Sequence, residues 1–99
     1  MYKLHKTSEF EEWLDEQPLK ARLQVDERLL HIVCEGHFGV CKHLGNSVWE
    51  LKWANGRRIY YAYIAELNIL LLLGGNKNGQ SKDITQAKKI LRKYTEATS

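Results

Sequence analysis

Four side chains that could handle a phosphodiester come from two neighbouring predicted strands. Residues 48–53 alternate apolar and polar, residues 58–64 are aromatic and β-branched, and Asn55 with Gly56 between them is typical of a two-residue hairpin turn. Because strand side chains alternate between faces, one face of this hairpin carries a carboxylate, an amine, a guanidinium and a phenol. These are Glu50, Lys52, Arg58 and Tyr60.

Phosphate recognition is the chemistry that this set predicts. Arg58 would hold a phosphate through its guanidinium fork, Lys52 would supply a charge or a base, and Tyr60 would stack on a nucleobase. The alternative is an ordinary solvent-exposed face with a cross-strand ion pair between Glu50 and Arg58. The opposite face is aromatic and aliphatic, so we expect the helices to cover that side of the sheet.

A glycine-rich segment at residues 74–79 invites comparison with a phosphate-binding loop. It lacks the required spacing, since Lys77 is not followed by Ser or Thr and has no glycine before it at P-loop distance. The segment is therefore interpreted as a turn into the last helix. Its backbone amides, together with Lys77, could still hold an anion.

Two cysteines and two histidines between residues 34 and 43 raise the question of a zinc site. Cys34 and His37 have a suitable spacing, but Cys41 and His43 are separated by one residue. In an extended chain that second pair would point to opposite faces. We therefore expect free thiols and no bound metal.

The surrounding pattern predicts an α+β fold. Ser8 and Glu11 form a capping-box pattern for a first helix, and Pro18 separates it from a second. The second helix carries an apolar stripe that we expect in the core: Leu19, Leu23, Leu30 and Val33. Residues 67–73 predict a central apolar strand, and a last helix begins at Ser81 or Asp83. The expected architecture is an N-terminal helical hairpin and a C-terminal helix packed on one side of a small, mainly antiparallel sheet, in a single domain of residues 1–99.

Charge is unevenly distributed along the 99 residues. Residues 1–40 hold five bases against eight acids, whereas residues 41–99 hold ten bases against four acids. This asymmetry suggests a polyanionic partner for the C-terminal part. The longest apolar runs have the length of a strand, far short of the ~20 residues of a membrane span. We therefore expect a cytoplasmic protein with no membrane partner.

Several motifs, taken together and in this order, resemble those of the phage-derived addiction-module killer proteins, the HigB-like branch of the RelE/ParE toxin superfamily. The resemblance spans about residues 8–91. Its motifs are Phe10-x-x-Trp13-Leu14, Lys42-x-Leu44-Gly45, Trp49-Glu50-Leu51-Lys52, Arg58-Ile59-Tyr60-Tyr61, and Leu73-Gly74-Gly75-Asn76-Lys77 with Gln80 and Asp83.

The resemblance implies the toxin of a type II toxin–antitoxin system, usually a ribosome-dependent, metal-independent messenger-RNA endonuclease without a cofactor. It implies an antitoxin partner, expected to be of helix-turn-helix type, besides the ribosome and messenger RNA. Glu50 or Lys52 would be the base, Arg58 and Lys77 would stabilise the phosphate, and Tyr60 would stack or orient. Three further cations would bind RNA phosphates: Lys42, Arg57 and Lys82. The alternatives are a ParE-like toxin that inhibits DNA gyrase and a decayed, non-toxic nucleic-acid-binding homologue.

Overall fold

Five strands and three α-helices follow one another along residues 1–98, the part of the chain that the computed structural model describes. Ser99, the last residue of the predicted single domain, lies outside the described residues. The elements are β1 (Lys3–Lys6), α1 (Ser8–Asp15), α2 (Leu19–Glu35), β2 (Cys41–Gly45), β3 (Val48–Lys52), β4 (Arg57–Ala65), β5 (Asn68–Asn76), a 3₁₀ turn (Lys77–Gly79) and α3 (Gln80–Thr98).

One sheet contains the strands in the order β1-β5-β4-β3-β2. β1 runs parallel to β5, and the other neighbouring pairs are antiparallel. The turn between β3 and β4 closes at Gly56, whose φ of +98° favours glycine. The predicted hairpin is confirmed, but its turn has three residues, 54–56, and not two, because the Trp53 amide donates to the Arg57 carbonyl and the Gly56 amide donates to the Trp53 carbonyl. β5 is the apolar interior strand expected at residues 67–73.

Helices cover both faces of the sheet. α1 and α2 pack on the face that contains Ile59 and Tyr61, whereas α3 packs on the face that contains Tyr60 and Ala62. The predicted α+β class with a mainly antiparallel sheet is confirmed, but the expectation that all helices lie on one side was wrong. The physical reason lies in β5, because its successive leucines leave both faces apolar and both must be covered.

The buried side of α2 differs from the predicted one. Its buried residues are Ala21, Val25, Leu29 and Ile32. Three leucines of the predicted core stripe are instead largely exposed, Leu19 by 62%, Leu23 by 59% and Leu30 by 61%. Both sets repeat at helical spacing, so periodicity alone could not decide which one faces the sheet.

The first helix begins one residue earlier than its capping pattern predicted. Thr7, not Ser8, is the N-cap, and its Oγ1 accepts a hydrogen bond from the Phe10 amide at 3.0 Å. The same hydroxyl donates to the Leu72 carbonyl at 2.8 Å, which fixes α1 to β5. α2 begins directly after Pro18, as predicted. Within residues 1–98, no helix combines the length and hydropathy that a bilayer crossing requires.

Candidate nucleic-acid site

The strand register brings the four predicted hairpin side chains to one face of the sheet. Lys52 lies opposite Arg58, and Glu50 lies opposite Tyr60. On the other side of β3, Lys42 of the edge strand β2 lies opposite Glu50. Directly opposed residues of antiparallel strands share a face. The predicted grouping of these side chains is therefore present in the structure.

The solvent exposure of this face was predicted wrongly. Glu50 and Tyr60 are 0% exposed, because α3 packs over them. Lys52 remains partly exposed, and the Arg58 side chain retains 11% exposure. Only the two cations at the end of the hairpin therefore reach the surface, while the carboxylate and the phenol lie below it.

Glu50 holds the buried end of Arg58. Its Oε2 accepts a hydrogen bond from Gln80 Nε2 at 2.8 Å and lies 3.3 Å from Arg58 Nε. A carboxylate removed from water requires such a partner, because an unpaired buried charge is strongly unfavourable. The arrangement fixes the guanidinium from below.

Tyr60 stays a neutral phenol in this environment. Burial raises its pKa above the ordinary value for tyrosine, and the negative charges of Glu50 and Asp83 raise it further. The predicted stacking of Tyr60 on a nucleobase conflicts with its complete burial. In this structure the ring packs between the sheet and α3 instead.

The hairpin turn joins Arg58 to Lys77. Arg58 Nη1 donates to the Gly56 carbonyl at 2.8 Å. The aliphatic part of Lys77 lies over the same glycine, since a β-carbon built on Gly56 would be 3.3 Å from Lys77 Cγ. Lys52, Arg58 and Lys77 are thus grouped at one end of the β3–β4 hairpin, and we call them the cation cluster.

The three predicted RNA-binding cations are distributed over both faces. Lys42 is exposed on β2 and shares a face with Glu50, and Lys82 is exposed at the start of α3. Arg57 lies on the α2 side, where its Nη1 donates to Gln24 Oε1 at 3.0 Å. Its guanidinium is also 5.7 Å from the centre of the Trp53 ring. Lys42 and Lys82 therefore border the face of the cation cluster, and Arg57 does not.

Gln80 and Asp83 belong to this site but were quoted only as parts of a family pattern. Gln80 supports Glu50, and the Asp83 carboxylate lies against Gly75 and Gly79, where a β-carbon would crowd it. Burial raises the pKa of Asp83, although the charge of Lys82 acts in the opposite direction. The sequence feature that could have indicated this contact is the Gly74-Gly75 pair ahead of the helix, because glycine in a strand often marks the close approach of another group.

Arg28 fixes the end of β3 from the opposite face. Its guanidinium donates to the carbonyls of Phe38, Val40 and Lys52 and lies 4.3 Å over the Trp53 ring. Burial lowers its pKa. Arg28, Phe38 and Trp53 line a cleft of about 540 Å³ between α2 and the hairpin, and none of the eight predicted site residues lines it. Arg28 thus positions the backbone of Lys52 without reaching the cation cluster.

The cysteines and histidines at residues 34–43 do not gather into a site. Cys34 and Cys41 are free thiols, and both are exposed. Across residues 1–98, no three His, Cys, Asp or Glu side chains are close enough together to hold a metal ion.

The sequence matches one known family over most of its length. The family model described as "Phage derived protein Gp49-like" matches residues 12–95. The chain belongs to the Gp49-like family. A relative from Haemophilus influenzae, described as an uncharacterized protein, is 34% identical over 86 residues, which cover 83% of this chain and 85% of that protein.

Solved toxin structures share the fold of this Gp49-like protein. A mutant of the Escherichia coli toxin RelE in the free state has a TM-score of 0.71 at 19% identity, over 89% of this chain and 95% of that chain. The isolated E. coli RelE toxin gives 0.65 at 16% identity, over 87% and 98%. A chain of the Mycobacterium tuberculosis toxin–antitoxin complex RelBE2 gives 0.64 at 16%, over 76% and 96%.

The Gp49-like protein therefore has the RelE toxin fold, with three helices on a five-stranded, mostly antiparallel sheet in the described residues. The resemblance to the RelE/ParE superfamily that the motifs predicted is confirmed at the level of the fold, and the family shown is the Gp49-like one. Its placement in the HigB-like branch stays a prediction.

Proposed function

We propose that this protein is the toxin of a type II toxin–antitoxin pair and that it cleaves messenger RNA on the ribosome without a metal ion. The main observation in support of this proposal is the cation cluster, three positive side chains at one end of the hairpin of a RelE-type sheet. Fold likeness alone leaves the activity open. A group of cations on neighbouring positions is suited to the charge that develops on a phosphate during cleavage.

Cleavage would begin with attack of a ribose 2′-hydroxyl on the adjacent phosphorus. The hydroxyl proton leaves, the bond to the 5′-oxygen breaks, and that oxygen takes up a proton. The phosphate carries extra negative charge in between, and Arg58 with Lys77 would stabilise it. Losing one such stabilising group typically costs ~3–4 kcal/mol in the barrier, about a few hundredfold in rate.

Of the two candidate bases, Lys52 is the one that we assign to the 2′-hydroxyl. Glu50 is fully buried and held by Gln80 and Arg58, so its carboxylate has no path to a ribose in this structure. A general base must lie within hydrogen-bond reach of the proton that it removes. We assign to Glu50 the positioning of Arg58, and to Tyr60 the support of Glu50 beneath the surface.

Binding partners follow from the same assignment. Lys42 and Lys82, exposed beside the cation cluster, would contact phosphates of messenger or ribosomal RNA, and Arg57 would contact RNA that passes the other face. The M. tuberculosis RelBE2 structure is a toxin–antitoxin complex, which supports an antitoxin partner here; we expect it to be of helix-turn-helix type. Activity on the ribosome would require the protein to be in the cytoplasm.

One surface feature favours a second candidate, inhibition of DNA gyrase. Helix α3 carries four exposed bases, and a basic helix can meet DNA or a DNA-bound enzyme. These are Lys82, Lys89, Arg92 and Lys93. This activity would depend on binding and would not need the cation cluster at the hairpin.

The test is expression of the protein, of Lys52→Ala and of the matched control Lys20→Ala, which removes an exposed lysine of α2. Primer extension on translated messengers should show new 5′ ends with the wild type and the control and lose them with Lys52→Ala. Repeating the cleavage in a purified system with and without ribosomes tests the ribosome requirement. Intact messengers with a DNA-damage response would support gyrase inhibition, and harmless expression would indicate a decayed nucleic-acid-binding homologue.

A further inference from the structure

An apolar stripe runs along the outer side of α2. It consists of Leu19, Leu23 and Leu30, each about three-fifths exposed, and the partly buried Val33. With Asp26 in the middle, the five positions are spaced four, three, four and three residues apart. Single exposed leucines are ordinary, but an aligned set on one helix marks an interaction surface. We call these five positions the α2 stripe.

The spacing of the stripe specifies the shape of its partner. Alternating steps of three and four residues form the seam along which two helices pack side by side. The leucines at Leu19, Leu23 and Leu30 would enter the spaces between side chains of a facing helix. The occupant is therefore a single amphipathic helix and not an extended strand.

The charge at the centre of the stripe disfavours a second copy of this chain. Asp26 is the middle position, with two apolar positions on either side. Parallel pairing places Asp26 against Asp26, and antiparallel pairing that aligns the leucines does the same. Two facing carboxylates repel each other, and the repulsion strengthens when packing excludes water.

The same charge indicates a basic residue in the partner. Asp26 is exposed and has no ion pair among residues 1–98. Glu27 and Glu35, also exposed, add negative charge to the C-terminal half of α2. A partner helix with Lys or Arg opposite Asp26 would match this pattern, and one with an acidic residue there would be rejected.

From this surface we infer that the α2 stripe docks an amphipathic helix of the antitoxin, with aliphatic residues along its seam and a basic residue opposite Asp26. The identity of the partner rests on the proposed toxin function, whereas the helical shape and the charge follow from the stripe. α2 packs on the opposite face of the sheet from Glu50 and Tyr60. The docked helix thus anchors the antitoxin on the side away from the cation cluster.

The experiment measures binding of the protein encoded by the adjacent reading frame, by titration calorimetry against the purified full chain. The variant is Leu23→Ser/Leu30→Ser, and the matched control is Val40→Ser, which removes an aliphatic side chain that is 66% exposed outside α2. We expect the double variant to raise Kd by at least about 100-fold, from two lost leucine contacts, and the control to change it by less than about threefold. Thermal unfolding checks that both variants fold.

A charge reversal tests the partner's basic residue separately. Asp26→Lys should weaken binding at least about tenfold, and exchanging the facing base of the partner for Asp should restore it. Unchanged affinity of the double-serine variant would overturn the proposal. It would also be overturned if the purified chain were a dimer in sedimentation and Leu23→Ser/Leu30→Ser made it monomeric, since a second copy would then occupy the stripe.

Messenger cleavage is measured on the same proteins without the partner. We expect the double-serine variant to cleave like the wild type, because α2 packs on the opposite face of the sheet from Glu50 and Tyr60. A protein that cuts no messenger but loses its partner through the serine changes would refute the proposed activity and retain the docking site. A protein that cleaves messenger but binds the partner equally well in all variants would refute the docking site and retain the proposed activity.

Discussion

Arg58 Nε lies 3.3 Å from Glu50 Oε2, and Glu50 is fully buried beneath α3. Removing the guanidinium leaves a carboxylate in the interior without its paired cation, although Gln80 still donates to it. Breaking a buried pair from one side typically costs ~3–5 kcal/mol. We therefore predict that Arg58→Ala lowers the free energy of unfolding by about this amount, as measured by urea denaturation, besides slowing cleavage about a few hundredfold.

A second substitution separates stability from chemistry at this pair. In Arg58→Ala/Glu50→Gln, the neutral amide can still accept a hydrogen bond from Gln80 and needs no cation. We expect the double variant to regain most of the lost stability while messenger cleavage stays as slow as in Arg58→Ala. If Arg58→Ala unfolded at the same urea concentration as the wild type, the ion pair would not support the fold and the assignment of Glu50 as a positioning residue would fail.

Substitution of Lys52 should impair cleavage without lowering stability, unlike substitution of Arg58. Its backbone is fixed, with the amide donating to the Val40 carbonyl at 3.0 Å and the carbonyl accepting from Arg28, whereas its side chain is partly exposed. We predict that Lys52→Ala reduces the cleavage rate about a few hundredfold and changes the unfolding free energy by less than about 0.5 kcal/mol. Single-turnover cleavage and urea denaturation measure the two effects. Near-normal cleavage by this variant would remove Lys52 from the mechanism.

The shared face of Lys52 and Arg58 was predictable, because apolar and polar residues alternate along both strands. Their direct pairing was not, since a two-residue turn at Asn55 and Gly56 would set Lys52 opposite Ile59, whereas the observed three-residue turn sets it opposite Arg58. The covering of Glu50 and Tyr60 was not predictable either. It depends on which face α3 occupies, and the leucines of β5 make both faces apolar.

The wrong assignment of the apolar α2 stripe to the core also arose because sequence periodicity does not show which side of an element is covered. Val25 and Leu29 face the sheet, whereas Leu23 and Leu30 face outward, although both pairs fit a helical period. Aliphatic residues destined for a partner look the same in the sequence as residues destined for the core. Only the position of the helix on the sheet distinguishes them.

Gly74 lies where β5 passes under α1. A β-carbon at this position would overlap the ring of Trp13, a residue that packs against the core. Gly74→Ala should therefore lower the free energy of unfolding by ~1–3 kcal/mol, the usual cost of overpacking. Adding Trp13→Leu gives a double-mutant cycle in which the alanine should cost much less, because the obstructing ring is gone. An equal cost of Gly74→Ala beside Trp13 and beside leucine would show that the ring is not the obstacle.

Asp83 should make stability depend on pH with a defined sign. Burial raises its pKa in the folded state, so its stabilising contribution is full below the unfolded value of about 3.9 and is lost as the pH rises through the folded value. Asp83→Asn cannot lose a proton and lacks this dependence. The unfolding temperature of Asp83→Asn minus that of the wild type should therefore be more positive at pH 7 than at pH 3. Gln86→Ala, an exposed change in α3 without a titrating group, should give the same difference at both pH values. A difference for Asp83→Asn that became more negative towards pH 7 would mean that the carboxylate is stabilised in its charged form, contrary to its crowded position against Gly75 and Gly79.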